Sequence, residues 1–258
     1  MEIISYNIWD LPLWFVRDRR NRLLKIGEYV SQRGTDIICL QESWSLSHRK
    51  ALSEFMREKG YHDAIFQAGI KRGNGGLLTF STFPIKSVRF IPFGRWGISV
   101  SEFIGNKGAL ETIVETPKGL LRVLNIHLHH ESSKIFNSTR IRLRQLRKLL
   151  TLIKDDEEIA TVLAGDFNQH DMANKKLFNE IFGSHNFVFH GDIETVQPTY
   201  RKENNLVNNW INRIAHSQTY DYILTKHLNK IDAVATSYTP LYIDPVLSDH
   251  DPVSLIIK

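Results

Sequence analysis

The sequence predicts an α/β sandwich, two sheets flanked by helices, on three observations. Short β-branched and aromatic runs recur along the chain, segments of helical period are interspersed between them, and the composition is that of an ordinary globular protein. Of 258 residues, 42% are hydrophobic and 24% charged, which excludes a disordered or fibrous chain. No Pro/Gly/Ser-rich tract or charge run divides the sequence, so one domain over residues 1–258 is expected.

The strand candidates come first in the chain's own order. EIISYNIW at 2–9, DIICLQ at 36–41, GLLTFS at 76–81, GALETIVET at 108–116, LLRVLNIHLH at 120–129 and ATVLAGDFN at 160–168 are short, apolar and rich in residues that suit an extended backbone. YDYILT at 220–225, KIDAVATSYT at 230–239 and DPVSLIIK at 251–258 complete the series. Helical period appears in Leu23, Ile26 and Val30 after the basic stretch RDRRNR, and in Leu52, Phe55 and Met56 before a stop at Gly60. A third helix over 138–154 begins at a capping Ser138 or Thr139 and turns Leu146, Leu149, Leu150 and Ile153 to one side. A fourth, shorter helix is expected over 173–182.

Several classes of protein drop out at this point. No stretch approaches the roughly 18 to 20 apolar residues that a membrane-spanning helix needs. The start, MEIISYNIW, lacks the basic and long apolar regions of a signal peptide. The expected location is therefore cytoplasmic or peripheral at a membrane surface, with secretion only if a leader has been trimmed. The single cysteine, Cys39, lies in the apolar run IICLQ and reads as a small core residue. Lys and Arg number 33 against 28 Asp and Glu, a net +5 that suits an anionic partner or simply solubility. A monomer is expected.

Acids, amides and histidines fall at strand ends: Asn7, Glu42, His127, Asp166, Asn168, Asp221, Asp249 and His250. Each alone reads equally as a turn nucleator, a cap or a solvated loop residue. Together, at the ends of neighbouring strands, they converge on one mouth, where sheet proteins build ligand and metal sites. The chemistry such a set supports is metal-assisted phosphodiester hydrolysis. Hard oxygen ligands such as Glu42 and Asn7 suit Mg²⁺, with Mn²⁺ or Ca²⁺ as alternatives. His250, its tautomer fixed by Asp221, would take a proton from the attacking water. Asp166 and Asn168 would position that water, and His127 would donate to the phosphate. In HLHH, His129 shares a face with His127 and is expected at the substrate, while His130 is expected to leave for solvent. The oxygen donors nearby and the lack of a cysteine partner argue against a zinc site there.

With these residues assembled, the sequence resembles the endonuclease/exonuclease/phosphatase superfamily, whose fold is that of pancreatic deoxyribonuclease. The motifs YNIW, LQES, GGLLTFSTFPI, NIHLHH, GDFNQ, YDYIL and SDHDPV appear in order and nearly end to end. The resemblance implies a deoxyribonuclease I-like two-sheet sandwich, with Glu42 and Asn7 as metal ligands. It assigns His127, Asp166 and Asn168 to phosphate and water. Asp249 joins the metal ligands and, with Asp221 and His250, borders the general-base side. Within the superfamily the sequence is most similar to neutral sphingomyelinases, through NIWDLP before RDRRNRLLKIGEYV, through GGLLTFSTFPI, and through GNKGAL with HLHHE. That similarity implies a Mg²⁺-dependent hydrolase cleaving a phospholipid such as sphingomyelin, with Lys107 reaching the phosphate. Read without it, Lys107 suits an ordinary surface turn as well as a phosphate contact.

The implied partner is a phospholipid or membrane surface. Leu11, Leu13, Trp14 and Phe15, followed by Arg17, Arg19, Arg20 and Arg22, suit an interfacial contact or a loop tucked under the next helix. Arg140, Arg144 and Arg147 recur at helical spacing and either follow a nucleic-acid backbone or pair with Asp155, Asp156 and Glu157. The alternatives to the lipid hydrolase are a metal-dependent DNA or RNA nuclease and an inositol-phosphate phosphatase, which share this chemistry. A non-catalytic binding protein on the same fold would have no need of so complete a set.

Overall fold

The computed structural model describes residues 1–13, 16–64, 74–94, 105–130, 138–153, 159–169, 175–191, 196–206 and 216–258. Twelve described strands form two six-stranded sheets. Strand β1 (Glu2–Asp10) is buried along its whole length because both of its faces are covered. Ile4, Tyr6 and Ile8 pack outward against helix α1 (Arg19–Gln32) and helix α2 (Leu46–Glu58), through Leu23, Ile26, Val30, Leu52 and Met56. Ile3 points the other way, into the layer between the sheets. Strand β2 (Ile37–Ser43) repeats the alternation, with Ile38 and Leu40 outward and Ile37 and Cys39 inward.

β1 and β2 pair in parallel, so the chain must cross over between them, and α1 supplies the crossover. β3 (His62–Ala64) and β4 (Leu78–Ser81) extend this sheet beyond β2, while β12 (Val253–Ile257) and β11 (Ala235–Pro240) extend it beyond β1. The second sheet runs in the order β5 (Ile85–Pro92), β6 (Gly108–Thr116), β7 (Gly119–His127), β8 (Ala160–Asp166), β10 (Asp221–Lys226) and β9 (Val188–Phe189). β7 and β8 are again parallel, joined through helix α3 (Ser138–Ile153). Leu146, Leu149, Leu150 and Ile153 of α3 cover Leu124, Ile126 and Leu163, with Phe182 of helix α4 (Lys175–Phe182) in the same cluster.

The layer between the sheets includes small residues such as Cys39, Ala160 and Ala164 among aliphatic ones such as Val123, Val162 and Ile223. Burial there pushes the Cys39 thiol up to about 12, which fits a core residue. Each parallel pair ends on the same side, so the C-terminal ends of β1, β2, β7 and β8 come together.

The expected sandwich is observed, with corrections in detail. The Leu228–Ile231 segment is a 3-10 turn, so the strand expected over 230–239 starts only at Ala235. β5 has no counterpart in the expected series. Its sequence IKSVRFIP is half polar and largely exposed, as an edge strand allows. β3 and β9, of 3 and 2 residues, are too short to show a period. Among the described residues, no helix is long and apolar enough to cross a membrane.

Candidate active site

Every strand-end residue named from the sequence reaches the same mouth. Asn7, Glu42, His127 and Asp166 come from the ends of β1, β2, β7 and β8. β10 runs antiparallel to β8 and places Asp221 opposite Asp166. The turn before β12 brings Asp249 and His250, and Ser248 secures it by donating from Oγ to the Asn7 carbonyl at 2.6 Å. Lys107 stands just before β6.

Two residues reach the mouth through left-handed backbone that a side chain rarely adopts, Glu42 with φ 59° and Asn168 with φ 49°. Glu42 needs room to turn this way. Gly76 has φ 71°, and a Cβ on it would crowd the Glu42 Cα at 3.2 Å and the Trp44 ring at 3.1 Å, so glycine is favoured opposite it. Gly165 is held more tightly still. Its Cβ would lie 2.0 Å from the Ile126 carbonyl oxygen, beside the strand that delivers Asp166.

One wall of the mouth is a histidine and acid pair. His250 Nδ1 lies 2.8 Å from Asp221 Oδ2, which also accepts from the Thr199 hydroxyl at 2.6 Å. That hydroxyl accepts in turn from the backbone N–H of Tyr220 at 3.1 Å. Burial alone would lower the His250 pKa, but Asp221, and behind it Asp166 and Asp249, hold it well above the ordinary value. Nε2 of the same ring faces Asp166 Oδ2 at 4.0 Å. The Tyr200 ring meets the imidazole edge to face at 5.4 Å.

The opposite wall is cationic. Lys107 Nζ sits 3.0 Å from His127 Nε2 and donates to the Leu128 carbonyl at 2.6 Å. Burial first, then the Lys107 ammonium, push the His127 pKa well below its ordinary value, so this ring is neutral. An ammonium beside Nε2 makes that nitrogen an acceptor, so His127 donates to a phosphate only after its proton moves to Nε2. Glu42 Oε1 and Asp166 Oδ2 approach the same nitrogen at 3.7 and 3.6 Å.

Between the walls lie carboxylates short of positive charge. Burial and the neighbouring Asp249 push Glu42 up to about 7, and burial pushes Asp249 up to about 6. Glu42 Oε2 is buried without a hydrogen-bond partner. Asn7 joins this cluster by donating from Nδ2 to Asp166 Oδ2 at 3.0 Å. Asp166 Oδ1 accepts the Asn168 backbone N–H at 2.7 Å, which fixes the GDFN turn. A hard divalent cation fits this donor set, and Glu42 is the group that most needs one. A second spacing also suits a metal: Asp166, Asp221 and His250 each offer a ligand atom within 4.8 Å of the others. That trio differs from the Glu42, Asn7 and Asp249 set expected from the sequence.

His129 is fully buried, its backbone N–H on Gln145 Oε1 at 2.9 Å and its backbone carbonyl on Arg142 at 3.3 Å, both from α3. β7 ends at His127, so the alternation that would have aligned the two histidines stops between them. His130 is exposed as expected, yet its Nδ1 meets Asn168 Oδ1 at 3.3 Å. Arg147 pairs with Glu180 at 3.3 Å, while Asp155, Asp156 and Glu157 lie outside the described residues, as do Trp14 and Phe15. Sequence reasoning missed Thr199, Ser248 and Tyr200. The only signal was their place beside other polar strand-end residues, since PTY and LSD read as ordinary turns.

The profile of the Endonuclease/Exonuclease/phosphatase family matches residues 4–250, and the chain belongs to that family. Among curated proteins it is 27% identical to Sphingomyelin phosphodiesterase 2 of Rattus norvegicus over 180 residues, 66% of this chain and 41% of that protein. It is likewise 27% identical to Inositol phosphosphingolipids phospholipase C of Schizosaccharomyces pombe, over 65% of this chain and 41% of the relative. The chain thus spans about two fifths of the length of these relatives, whose alignments cover 41% of each. Beta toxin from Staphylococcus aureus superimposes with a TM-score of 0.77 at 18% identity, over 99% of both chains. Sphingomyelinase C from Streptomyces griseocarneus gives 0.77 at 15% identity, over 98% of both. D. rerio TDP2 complexed with a single-strand DNA product gives 0.71 at 18%, over 100% of this chain and 98% of that one. At these identities the structures share the fold.

Proposed function

We propose that this member of the endonuclease/exonuclease/phosphatase family is a Mg²⁺-dependent phosphodiester hydrolase of the neutral sphingomyelinase type, releasing phosphocholine from a phospholipid such as sphingomyelin. The observation that carries the hydrolase reading is the His250 and Asp221 pair at 2.8 Å, set across a charge-deficient acid cluster from a lysine and a neutral histidine. The names of the rat and S. pombe relatives support the choice of lipid. A beta toxin of S. aureus with bound magnesium ions supports the choice of metal.

Glu42, Asn7 and Asp249 would hold the cation. When bound, it polarises a phosphoryl oxygen and stabilises the leaving group. The rest falls to the chain itself. Lys107 and His127 take the phosphate on the cationic wall. Asp166 and Asn168 orient the attacking water, and Nε2 of His250 receives its proton while Asp221 holds the other ring nitrogen. Asp221 does most to keep His250 charged, with Asp166 and Asp249 adding to it. Engagement of Asp166 and Asp249 by ligands would weaken that hold and favour Nε2 as a base.

A lipid surface is the partner that suits the rim. Leu46 is 79% exposed and Leu13 42%, on segments that follow the strands delivering Glu42 and Asn7. Asp10 ties their two segments together by accepting from Arg19, His48 and the Ser45 N–H, with Arg17 and Arg20 exposed alongside. Apolar tips within a basic margin fit an anionic bilayer. The test is phosphocholine release from sphingomyelin in mixed micelles with Mg²⁺, with EDTA and Glu42→Ala as controls. Loss of turnover in both controls is expected. A folded wild-type protein that releases nothing, yet cleaves single-stranded DNA with a rate falling steeply in salt, would replace this reading with the nuclease one.

A further inference from the structure

We infer that Gln41 and Asn125 are positioning residues of the site, an amide pair that fixes Glu42 against His127 across the gap between the two sheets. Gln41 directly precedes Glu42 on β2, and Asn125 stands two residues before His127 on β7. Both are fully buried. Gln41 Nε2 donates to Asn125 Oδ1 at 2.8 Å, the two side chains meeting between strands of different sheets. The same nitrogen reaches Ser5 Oγ and the Cys39 carbonyl, each at 3.1 Å, and so spans β1 and β2. Asn125 Nδ2 donates back to the Leu40 carbonyl at 3.0 Å and to the Leu78 carbonyl at 3.1 Å.

The position of these last two bonds carries the inference. Leu40 and Leu78 are partners at the end of the β2 and β4 ladder, two residues before the backbone turns left-handed at Glu42. One amide from the second sheet therefore closes the first sheet's ladder at the point where the chain leaves it. On the far side of Glu42, the Ser43 N–H donates to the Gly76 carbonyl at 2.8 Å. The carboxylate's origin is thus gripped from both sides.

The pair is not what a core selected for stability alone would hold. Gln41 Oε1 is buried and has no hydrogen-bond partner, a burden that a methionine of similar shape would not carry. Beyond Ser5 and Thr79, which the two amides reach, the neighbouring layer is aliphatic at Ala164, Val162 and Val123. Polar groups kept in such a layer at a cost are accounted for by what they place, and reacting groups tolerate only a fraction of an ångström of error.

The experiment compares Gln41→Met and Asn125→Leu with Val162→Ala, which weakens the same layer without touching the amides. Melting temperature, Mn²⁺ affinity by EPR titration, and kcat and KM for sphingomyelin are read on each. The two amide variants are expected to melt close to wild type, to bind Mn²⁺ at least threefold more weakly and to lose at least tenfold in kcat with KM little changed. Val162→Ala should melt lower and keep both Mn²⁺ affinity and kcat. A folded amide variant with wild-type Mn²⁺ affinity and kcat overturns the inference, and Gln41→Met decides alone if Asn125→Leu does not fold. The kinetic arm rests on the sphingomyelinase reading. If the wild type cleaves no sphingomyelin, that reading fails while the Mn²⁺ titration still judges the amide pair, and a wild type that binds no Mn²⁺ overturns both.

Discussion

His250 and His127 stand in one mouth, both buried, and hold their protons in opposite ways. Burial works against the charge on each ring. Three carboxylates reverse that effect at His250, while the Lys107 ammonium adds to it at His127. The sequence offers no distinction between them, since both are histidines at strand ends. What separates a proton carrier from a neutral phosphate contact is the nearest charged partner, a carboxylate at 2.8 Å from His250 Nδ1 and an ammonium at 3.0 Å from His127 Nε2.

The contrast can be broken most severely on the acidic wall. His250→Ala should lower kcat by about 10³-fold, within the range that a positioned acid or base contributes. Asp221→Asn should follow it part of the way and bring the His250 titration, read by NMR of the ring, down from its raised position. A His250 that still titrates high in that variant would show that Asp166 and Asp249 suffice, and the pairing argument would fail.

The cationic wall should yield less. Lys107→Met is expected to cost about tenfold to a hundredfold in kcat/KM, as the loss of one charged phosphate contact, and to let the His127 titration rise toward normal. Unchanged titration of His127 would leave burial as the whole cause.

A smaller effect sharpens the comparison through stability. Glu42 rises from 4.5 to about 7 on folding and Asp249 from 3.8 to about 6, so the metal-free native state binds more protons than the unfolded chain between these values. Stability of the metal-free protein should therefore fall as pH rises from 5 to 8, with Glu42 responsible for up to about 3 kcal/mol. His250, raised as well, acts with the same sign, and His127, lowered, opposes it. Urea denaturation across this range should show the slope, and Glu42→Gln should flatten it. A metal-free protein equally stable at both ends would contradict the charge deficit assigned to the acid cluster.

The smallest effect lies in the layer between the sheets. Cys39, its thiol pushed up to about 12 by burial, should react with a thiol reagent at pH 8 only as fast as the protein opens. Rapid labelling of the native protein would mean that the layer is looser than its packing implies.

How far the sequence could be read follows the same division. Asn7, Glu42, Asp166, Asp221 and His250 were legible because a polar residue ending an apolar strand is conspicuous, and strand order then brings those ends together. His129 was placed by its alternation with His127, a pattern that holds only while the strand lasts. Thr199 was invisible because a hydroxyl in PTY looks like any turn, and its partner Asp221 lies 22 residues away. β5 escaped because an exposed edge strand has no need of an apolar face. Long-range partnership is what local pattern omits, and the amide pair beneath Glu42 is the clearest instance: Gln41 and Asn125 are 84 residues apart.

Gly165 constrains the ancestry of the chain as well as its geometry. Every single-base change of a glycine codon that alters the amino acid adds a Cβ, and here that atom would lie 2.0 Å from the Ile126 carbonyl oxygen. Position 165 therefore has no neutral neighbour in mutational space. The approach to Asp166 can drift only if the strand beside it moves first, so a descendant that lost this glycine would have been rebuilt across two strands.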